Sequence, residues 1–243
     1  MKMKIERIKC LAIDVDGTIT DEKNNLDLKA VEMIRKLKEK KKLKIILASG
    51  NAYPVLMGIA RYIGGIDLVI AENGGIIGWE NKYIILGERT IGERARKIIN
   101  ENFSEIVKES WQNEYRKIDF AYKIKRGSWM EAYEKIKRLM EKKLPEAKVV
   151  FSGVAIHVRD RKVNKGEALK KAAKILKFHL EEIMAIGDSD VDVEMLEVAG
   201  IGVAVANASE KALRVADIVT WGMRGKGFTE IAETILNEVN LTF

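Results

Sequence analysis

The chain has 243 residues, 47% of them hydrophobic and 33% charged, enough apolar material for a sizeable core in one domain or two. A single cysteine excludes an internal disulfide and a cysteine-based zinc site, and no apolar run approaches the roughly 18 residues of a membrane span. The net charge of +7 raises nucleic acid as a partner, but Lys and Arg are interleaved with Glu along helical segments, the pattern of a solvated surface that would also draw in small anions.

The amino terminus, Met1 to Arg7, lacks a signal-peptide core, so a cytoplasmic location is expected. Cys10-Leu11-Ala12-Ile13 has the near-continuous apolarity of a parallel strand covered on both faces. It runs into Asp14-Val15-Asp16-Gly17-Thr18, where alternation puts Asp14 and Asp16 on one side and Gly17 permits a sharp turn. One acid can attack phosphorus there while its neighbour moves protons. The competing reading is a plain Asp-Gly turn that ends a strand.

Leu28, Val31, Ile34 and Leu37 recur at helical spacing, and the helix runs out at Lys40 to Lys42, where cations suit its negative end. Lys44 to Ala48 reads as a second buried strand, ending in Ser49-Gly50-Asn51, with Pro54 in the first turn of the next helix. Ser49 either holds an anion together with the amides that follow it or caps that helix. A third strand, Asp67 to Ala71, precedes the turn Glu72-Asn73-Gly74-Gly75, in which Asn73 is a further candidate for the site.

From about Trp79 to Arg159 the texture changes. A short strand at Ile84 to Leu86, a helix near Ile91 to Val107, an alternating strand from Lys117 to Lys125 and a helix near Trp129 to Lys142 precede a hairpin around Ser152-Gly153. Alternation predicts an antiparallel sheet with one face covered by two helices, inserted into the larger domain. His157 projects opposite to Ile156 and Val158; with Arg159, Lys123 or Arg126 it can bind a carboxylate, or it is an ordinary solvent-facing strand residue. Trp111 and Trp129 read as packing or interface residues and His179 as a surface residue.

The chain returns at Val163-Asn164-Lys165-Gly166, before a helix with Ala168, Leu169, Ala172 and Leu176 on one face. Ile183 to Ile186 is another buried strand, ending in Gly187-Asp188-Ser189-Asp190-Val191-Asp192. An EF-hand would require Gly at 193 and Glu at 199, where Val193 and Ala199 stand, so calcium is not expected. Acids at a strand end suit Mg²⁺, which takes few protein carboxylates. Asp190 reads as solvent-facing or a helix cap. Strands at Gly202 to Val205 and Asp217 to Thr220, helices from Ser209 and from Phe228, and a glycine-rich loop at Gly222 to Gly227 complete the chain.

The ordered set Asp14 to Thr18, Ser49, Lys165-Gly166 and Asp188 to Asp192 resembles the four motifs of the haloacid dehalogenase superfamily phosphatases, and the insertion resembles the α/β cap of its Cof-type branch. The resemblance implies an α/β fold: a Rossmann-like, parallel-sheet hydrolase core at 1–78 and 160–243, with a smaller α+β cap at 79–159. It implies Asp14 as nucleophile, Asp16 as proton donor and acceptor, and Ser49, Gly50 and Lys165 as phosphate-binding residues. Mg²⁺ would be held by Asp14, by the backbone carbonyl of Asp16, by Asp188, and by Asp192 as ligand or support. Asn51, His157, Arg159 and Asn207 are further substrate-site candidates. Relatives commonly have Asn where Val191 stands, a contact Asn207 can supply instead.

Length and cap look most like archaeal-type phosphoglycolate phosphatases, so the expected substrate is a small acidic phosphate ester, 2-phosphoglycolate first and a sugar phosphate as the alternative. Expected partners are a small molecule only, neither nucleic acid nor membrane, for a monomer or homodimer. The reading from another class is a basic, non-catalytic nucleic-acid-binding protein on a hydrolase fold.

Overall fold

The structure is a computed structural model that describes residues 6–237. Residues 1–5, part of the segment read for a leader, lie outside the described residues. Among the described residues, strands form one eight-stranded and one four-stranded sheet.

The larger sheet is built on β1 (Cys10–Asp14), every residue of which is buried. It is flanked in parallel by β2 (Lys44–Ala48) and, across the chain, by β10 (Ile183–Gly187). Ile13 lies opposite both Leu47 and Ile186, so Asp14 at the end of β1 and the segments that follow β2 and β10 from Ser49 and Asp188 emerge side by side at one sheet edge. That edge is the carboxyl end, where ligands of open parallel sheets bind.

The sheet continues through β3 (Leu68–Ala71) on one side and through β11 (Ile201–Ala204) and β12 (Ile218–Val219) on the other. Helices α1 (Leu28–Lys41) and α2 (Tyr53–Ile63) cover one face with the terminal α8 (Arg224–Asn237), placing Met33, Ile34, Leu56 and Phe228 in one core. Helices α5 (Lys165–Leu176), α6 (Val193–Val198) and α7 (Glu210–Val215) supply Leu169, Leu196 and Ala212 to the core on the other face. Burial on both faces accounts for the unbroken apolar runs.

Several expectations shift; the helix expected near Ile91 to Val107 ends at Phe103, and Val107–Glu109 is a strand. Leu28, assigned to the apolar stripe of α1, is 82% exposed, because Asp27 caps the helix and the buried face starts at Ala30. The strand expected at Ile84 to Leu86 is β5 (Lys82–Ile85), which pairs antiparallel with β4 (Ile76–Trp79) and extends the main sheet, so the inserted unit begins beyond Ile85 rather than at residue 79. Strand pairing is non-local, and periodicity does not report it. The loop expected up to Gly227 is shorter, because α8 starts at Arg224.

The inserted unit carries β6 (Val107–Glu109), β7 (Phe120–Ile124), β8 (Ala147–Phe151) and β9 (Ile156–Asp160) in the antiparallel order β6-β7-β9-β8. Helices α3 (Arg89–Phe103) and α4 (Trp129–Lys143) pack Ile99, Ile136 and Met140 against Phe120, Ile156 and Val158 on one face. The other face, with His157, is turned towards the core domain. The strand expected from Lys117 starts at Phe120 because the carboxylate Oε2 of Glu72 accepts the N–H groups of Lys117, Ile118 and Asp119 at 2.9, 2.8 and 3.2 Å. This three-fold bond ties the cap to the turn after β3.

Candidate active site

Lys165, fully buried at the start of α5, donates from Nζ to Asp14 Oδ1 at 2.5 Å and to Asp192 Oδ1 at 2.6 Å. Asp14, Asp188 and Asp192 each offer a carboxylate oxygen within 4.8 Å of the others. Three carboxylates against one ammonium leave a formal charge of −2, which one divalent cation balances. Burial raises the Asp14 carboxyl well above its ordinary range, Asp192 adds to that, and Lys165 opposes it. Burial and Asp192 likewise raise Asp188 to about 7. Burial alone would lower the Lys165 ammonium, but the two aspartates raise it above its usual value, so it stays charged.

Anions held this expensively call for a cation, and all-oxygen donors suit a hard one such as Mg²⁺. Asp192 contributes by one oxygen only. Its Oδ2 accepts from Ser189 N–H at 3.0 Å, Ser189 Oγ at 2.7 Å and Asp188 N–H at 3.3 Å, so it shapes the turn that presents Asp188.

Gly17 is required where it stands. Its φ is +92°, and a Cβ there would lie 2.2 Å from Asp188 Oδ2. Thr18 Oγ1 donates to Asp188 Oδ1 at 3.1 Å. Asn207 donates to the Gly17 carbonyl at 3.0 Å and lies 3.4 Å from Asp188 Oδ2, while its own Oδ1 accepts from Arg224 N–H at 2.6 Å. Asn207 thus ties the first acidic turn to the last. Val191 is buried and apolar, and Asp190 pairs outward with Lys211.

Ser49 is buried at the end of β2, and its Oγ accepts from Asn51 N–H at 3.1 Å and from Asn51 Nδ2 at 2.9 Å. Its hydroxyl hydrogen remains to be donated. Ser49 does not cap α2: the N-cap position is Ala52, without a side-chain cap bond. Asp16 is exposed and accepts from Asn51 Nδ2 at 3.0 Å through Oδ2.

A cavity of about 590 Å³ separates this floor from the cap, within the usual size range of small-molecule sites. Asp14, Asp16, Asn51 and Lys165 line its base, while Arg116, Lys123 and His157 line its roof. His157 Nδ1–H donates to Asp119 Oδ2 at 2.6 Å, leaving Nε2 with the lone pair. Burial lowers the imidazole pKa although Asp119 opposes this, so the ring is neutral at pH 7. Asp119 is fully buried; burial would raise its carboxyl, but His157, Arg159 and Arg116 hold it below the usual range.

Arg116 donates from Nη1 to the Asp119 carbonyl at 2.9 Å, and its Nε has no partner among the described residues. Arg159 donates from Nε to the Val163 carbonyl at 2.9 Å and does not line the cavity. Asn73, held at φ +51°, donates to Asp119 Oδ2 at 2.9 Å.

A sequence profile of haloacid dehalogenase-like hydrolases matches residues 11–106 and 93–227. The chain belongs to that family. It is 38% identical to the phosphoglycolate phosphatase of Staphylothermus marinus over 236 residues, 95% of this chain and 99% of that one. It is 36% identical to the phosphoglycolate phosphatase of Archaeoglobus fulgidus over 226 residues, 91% of this chain and 94% of that one. The crystal structure of Thermoplasma acidophilum protein 0175 superposes with a TM-score of 0.83 at 26% identity, covering 96% of this chain and 99% of that one.

This haloacid dehalogenase-like hydrolase is a phosphatase, which sets aside the non-catalytic reading. Of the residues singled out in the sequence, Asp14, Lys165, Asp188 and Asp192 meet in one cluster, with Asp16, Ser49, Gly50 and Asn51 beside it. His157 faces the cavity, whereas Arg159 is turned away from it by its bond to Val163 and Asn207 braces the acidic turns instead.

Sequence reasoning missed Glu72, Gln112, Arg116 and Asp119. An isolated Arg116 in a basic chain carries no signal, but Glu72 beside Asn73-Gly74 at a strand end is the kind of turn that does. No described helix is long and apolar enough to cross a membrane.

Proposed function

We propose that this phosphatase hydrolyses a small acidic phosphate monoester, 2-phosphoglycolate in the first instance, through an aspartyl phosphate on Asp14 with Mg²⁺ as cofactor. The observation that carries the reading is the cavity itself: Asp14 and Asp16 at its base, under a roof holding the cationic Arg116 and Lys123. A two-carbon phosphate ester with its own carboxylate needs a phosphoryl site at one end and cationic or hydrogen-bonding groups at the other. The relatives named as phosphoglycolate phosphatases support the same assignment.

Asp14 attacks phosphorus, and Asp16 gives a proton to the leaving alkoxide. Ser49 donates its free hydroxyl hydrogen to a phosphoryl oxygen, and Lys165 favours the ionised form of Asp14 against burial and Asp192 and offsets charge on the transferring group. Asp14, Asp188 and Asp192 would hold the cation, with the Asp16 carbonyl; when bound, Mg²⁺ supplies Lewis-acid stabilisation of phosphoryl charge. In the second half-reaction Asp16 takes the proton of the attacking water.

The test is a panel of phosphate esters compared by kcat/KM. 2-Phosphoglycolate is expected to exceed glucose 6-phosphate and glycerol 3-phosphate, and Arg116→Ala and Lys123→Ala to lower kcat/KM for 2-phosphoglycolate more than for p-nitrophenyl phosphate. A preference for an uncharged sugar phosphate would transfer the assignment to sugar-phosphate hydrolysis.

A further inference from the structure

We propose that Gln112, on the cap, is a positioning residue for the Asp16 carboxyl and acts through Asn51, so that the proton donor is aligned only when the cap is seated on the core. The proposal rests on the reading of Asp16 as proton donor. Gln112 lies in the turn Trp111–Glu114 between β6 and β7, and it reaches across the cavity mouth.

The polarity of the contact is fixed at its far end. Ala52 N–H donates to Gln112 Oε1 at 2.7 Å, and a backbone amide nitrogen can only donate. The carboxamide of Gln112 is therefore turned so that Nε2 faces Asn51, donating to Asn51 Oδ1 at 2.8 Å. Asn51 in turn must aim Nδ2 the other way, where its two hydrogens go to Ser49 Oγ at 2.9 Å and Asp16 Oδ2 at 3.0 Å. No link in the chain can be flipped without losing a bond.

Asp16 is exposed, and among the described residues Asn51 is its one hydrogen-bond donor. A freely rotating carboxyl is a poor acid catalyst, because misplacement by about 1 Å can cost about 10²-fold in rate. With Oδ2 held by Asn51, Oδ1 is the oxygen that carries the proton. As the bond from Asp14 to phosphorus forms and the ester P–O bond breaks, that proton passes to the bridging oxygen, releasing the alcohol. Water oxygen then replaces Asp14 on phosphorus and its proton returns to Asp16, so the enzyme is regenerated with inorganic phosphate as product. If the cap swings away, Gln112 leaves with it and Asn51 loses the partner that sets its orientation.

The experiment compares kcat/KM, which reports steps up to formation of the phosphoenzyme, on two esters with different needs for a proton. The alkoxide leaving from 2-phosphoglycolate requires protonation; p-nitrophenolate leaves without it. Gln112→Ala is expected to lower kcat/KM for 2-phosphoglycolate by about 10- to 100-fold and for p-nitrophenyl phosphate by less than about 3-fold. Gln112→Glu keeps the length and the bond from Ala52 but cannot donate to Asn51, and it should show the same split. In the Asp16→Asn background, adding Gln112→Ala should cost nothing further on either ester.

Equal losses on both esters, or none, from the Gln112 variants while Asp16→Asn alone shows the split would overturn the role of Gln112 and leave Asp16 in place. Absence of the split in Asp16→Asn itself would remove the reading of Asp16 as proton donor, and with it the proposal.

Discussion

Asp14 and Lys165 stand 151 residues apart in the chain, yet their side chains meet at 2.5 Å in the interior. Among the described residues Lys165 is the one ammonium bonded within the cluster of three close carboxylates. Removing it leaves buried charge uncompensated, a loss typically of about 3–5 kcal/mol. Lys165→Met is expected to lower kcat by about 10² to 10³. It should also lower the thermal midpoint more in EDTA than in Mg²⁺, since a cation can replace part of the lost charge. Activity assays and melting curves with and without chelator check this; an unchanged midpoint in EDTA contradicts it.

Cation binding should depend on pH through Asp188. Its carboxyl, raised from 3.8 to about 7 by burial and by Asp192, binds more protons in the metal-free fold than in the unfolded chain across that interval. The metal-free fold therefore loses stability from this group as pH rises from about 4 to about 7. Mg²⁺ needs the ionised form, so the gain in thermal midpoint on adding Mg²⁺ is expected to be larger at pH 8 than at pH 6. Equal gains at both values would speak against Asp188 as a ligand.

Two glycines make opposite predictions. At Gly17, with φ +92° and Asp188 Oδ2 lying 2.2 Å from the added Cβ, Gly17→Ala is expected to cost about 1–3 kcal/mol and to weaken Mg²⁺ binding. At Gly58, inside α2 with open space around the added Cβ, Gly58→Ala should stabilise by about 0.5–1 kcal/mol and leave kcat unchanged. Denaturant unfolding of both variants, with a Mg²⁺ titration of the first, decides them.

Asp119 holds the roof of the cavity together, facing His157, Arg116 and Arg159 with no exposed side-chain surface. Asp119→Ala leaves the buried Arg159 guanidinium without its close carboxylate and Arg116 with Glu72 alone, and a loss of about 3–5 kcal/mol is expected. Because Asn73 and His157 both lean on Asp119 Oδ2, KM for 2-phosphoglycolate should rise as well. A variant with wild-type stability would show that water or neighbouring groups carry the charge instead.

Much of the floor was legible because its signals are local. Buried runs such as Cys10 to Ile13 and Ile183 to Ile186 mark strands by composition, and acids or a Ser at their ends mark where chemistry can sit. Ser49 was ambiguous between anion holder and helix cap, and the start of α2 at Tyr53, capped from Ala52, was needed to separate these. The alternation of His157 with Ile156 and Val158 was legible too, since a strand assigns faces by parity.

By itself the sequence determined the order in which the acids, the serine and the lysine arrive, the face on which His157 stands, and most of the strands and helices, though not the strands Ile76–Trp79 and Val107–Glu109. These follow from backbone periodicity and turn chemistry, which act over a few residues. Only the tertiary structure decided that β5 joins the main sheet, that Arg159 turns to Val163 while Arg116 lines the cavity, and that Gln112 reaches Asn51. Those outcomes depend on strand pairing and on where buried polar groups find partners, and each is settled between segments that lie far apart in the chain or by competition for one buried carboxylate or carbonyl.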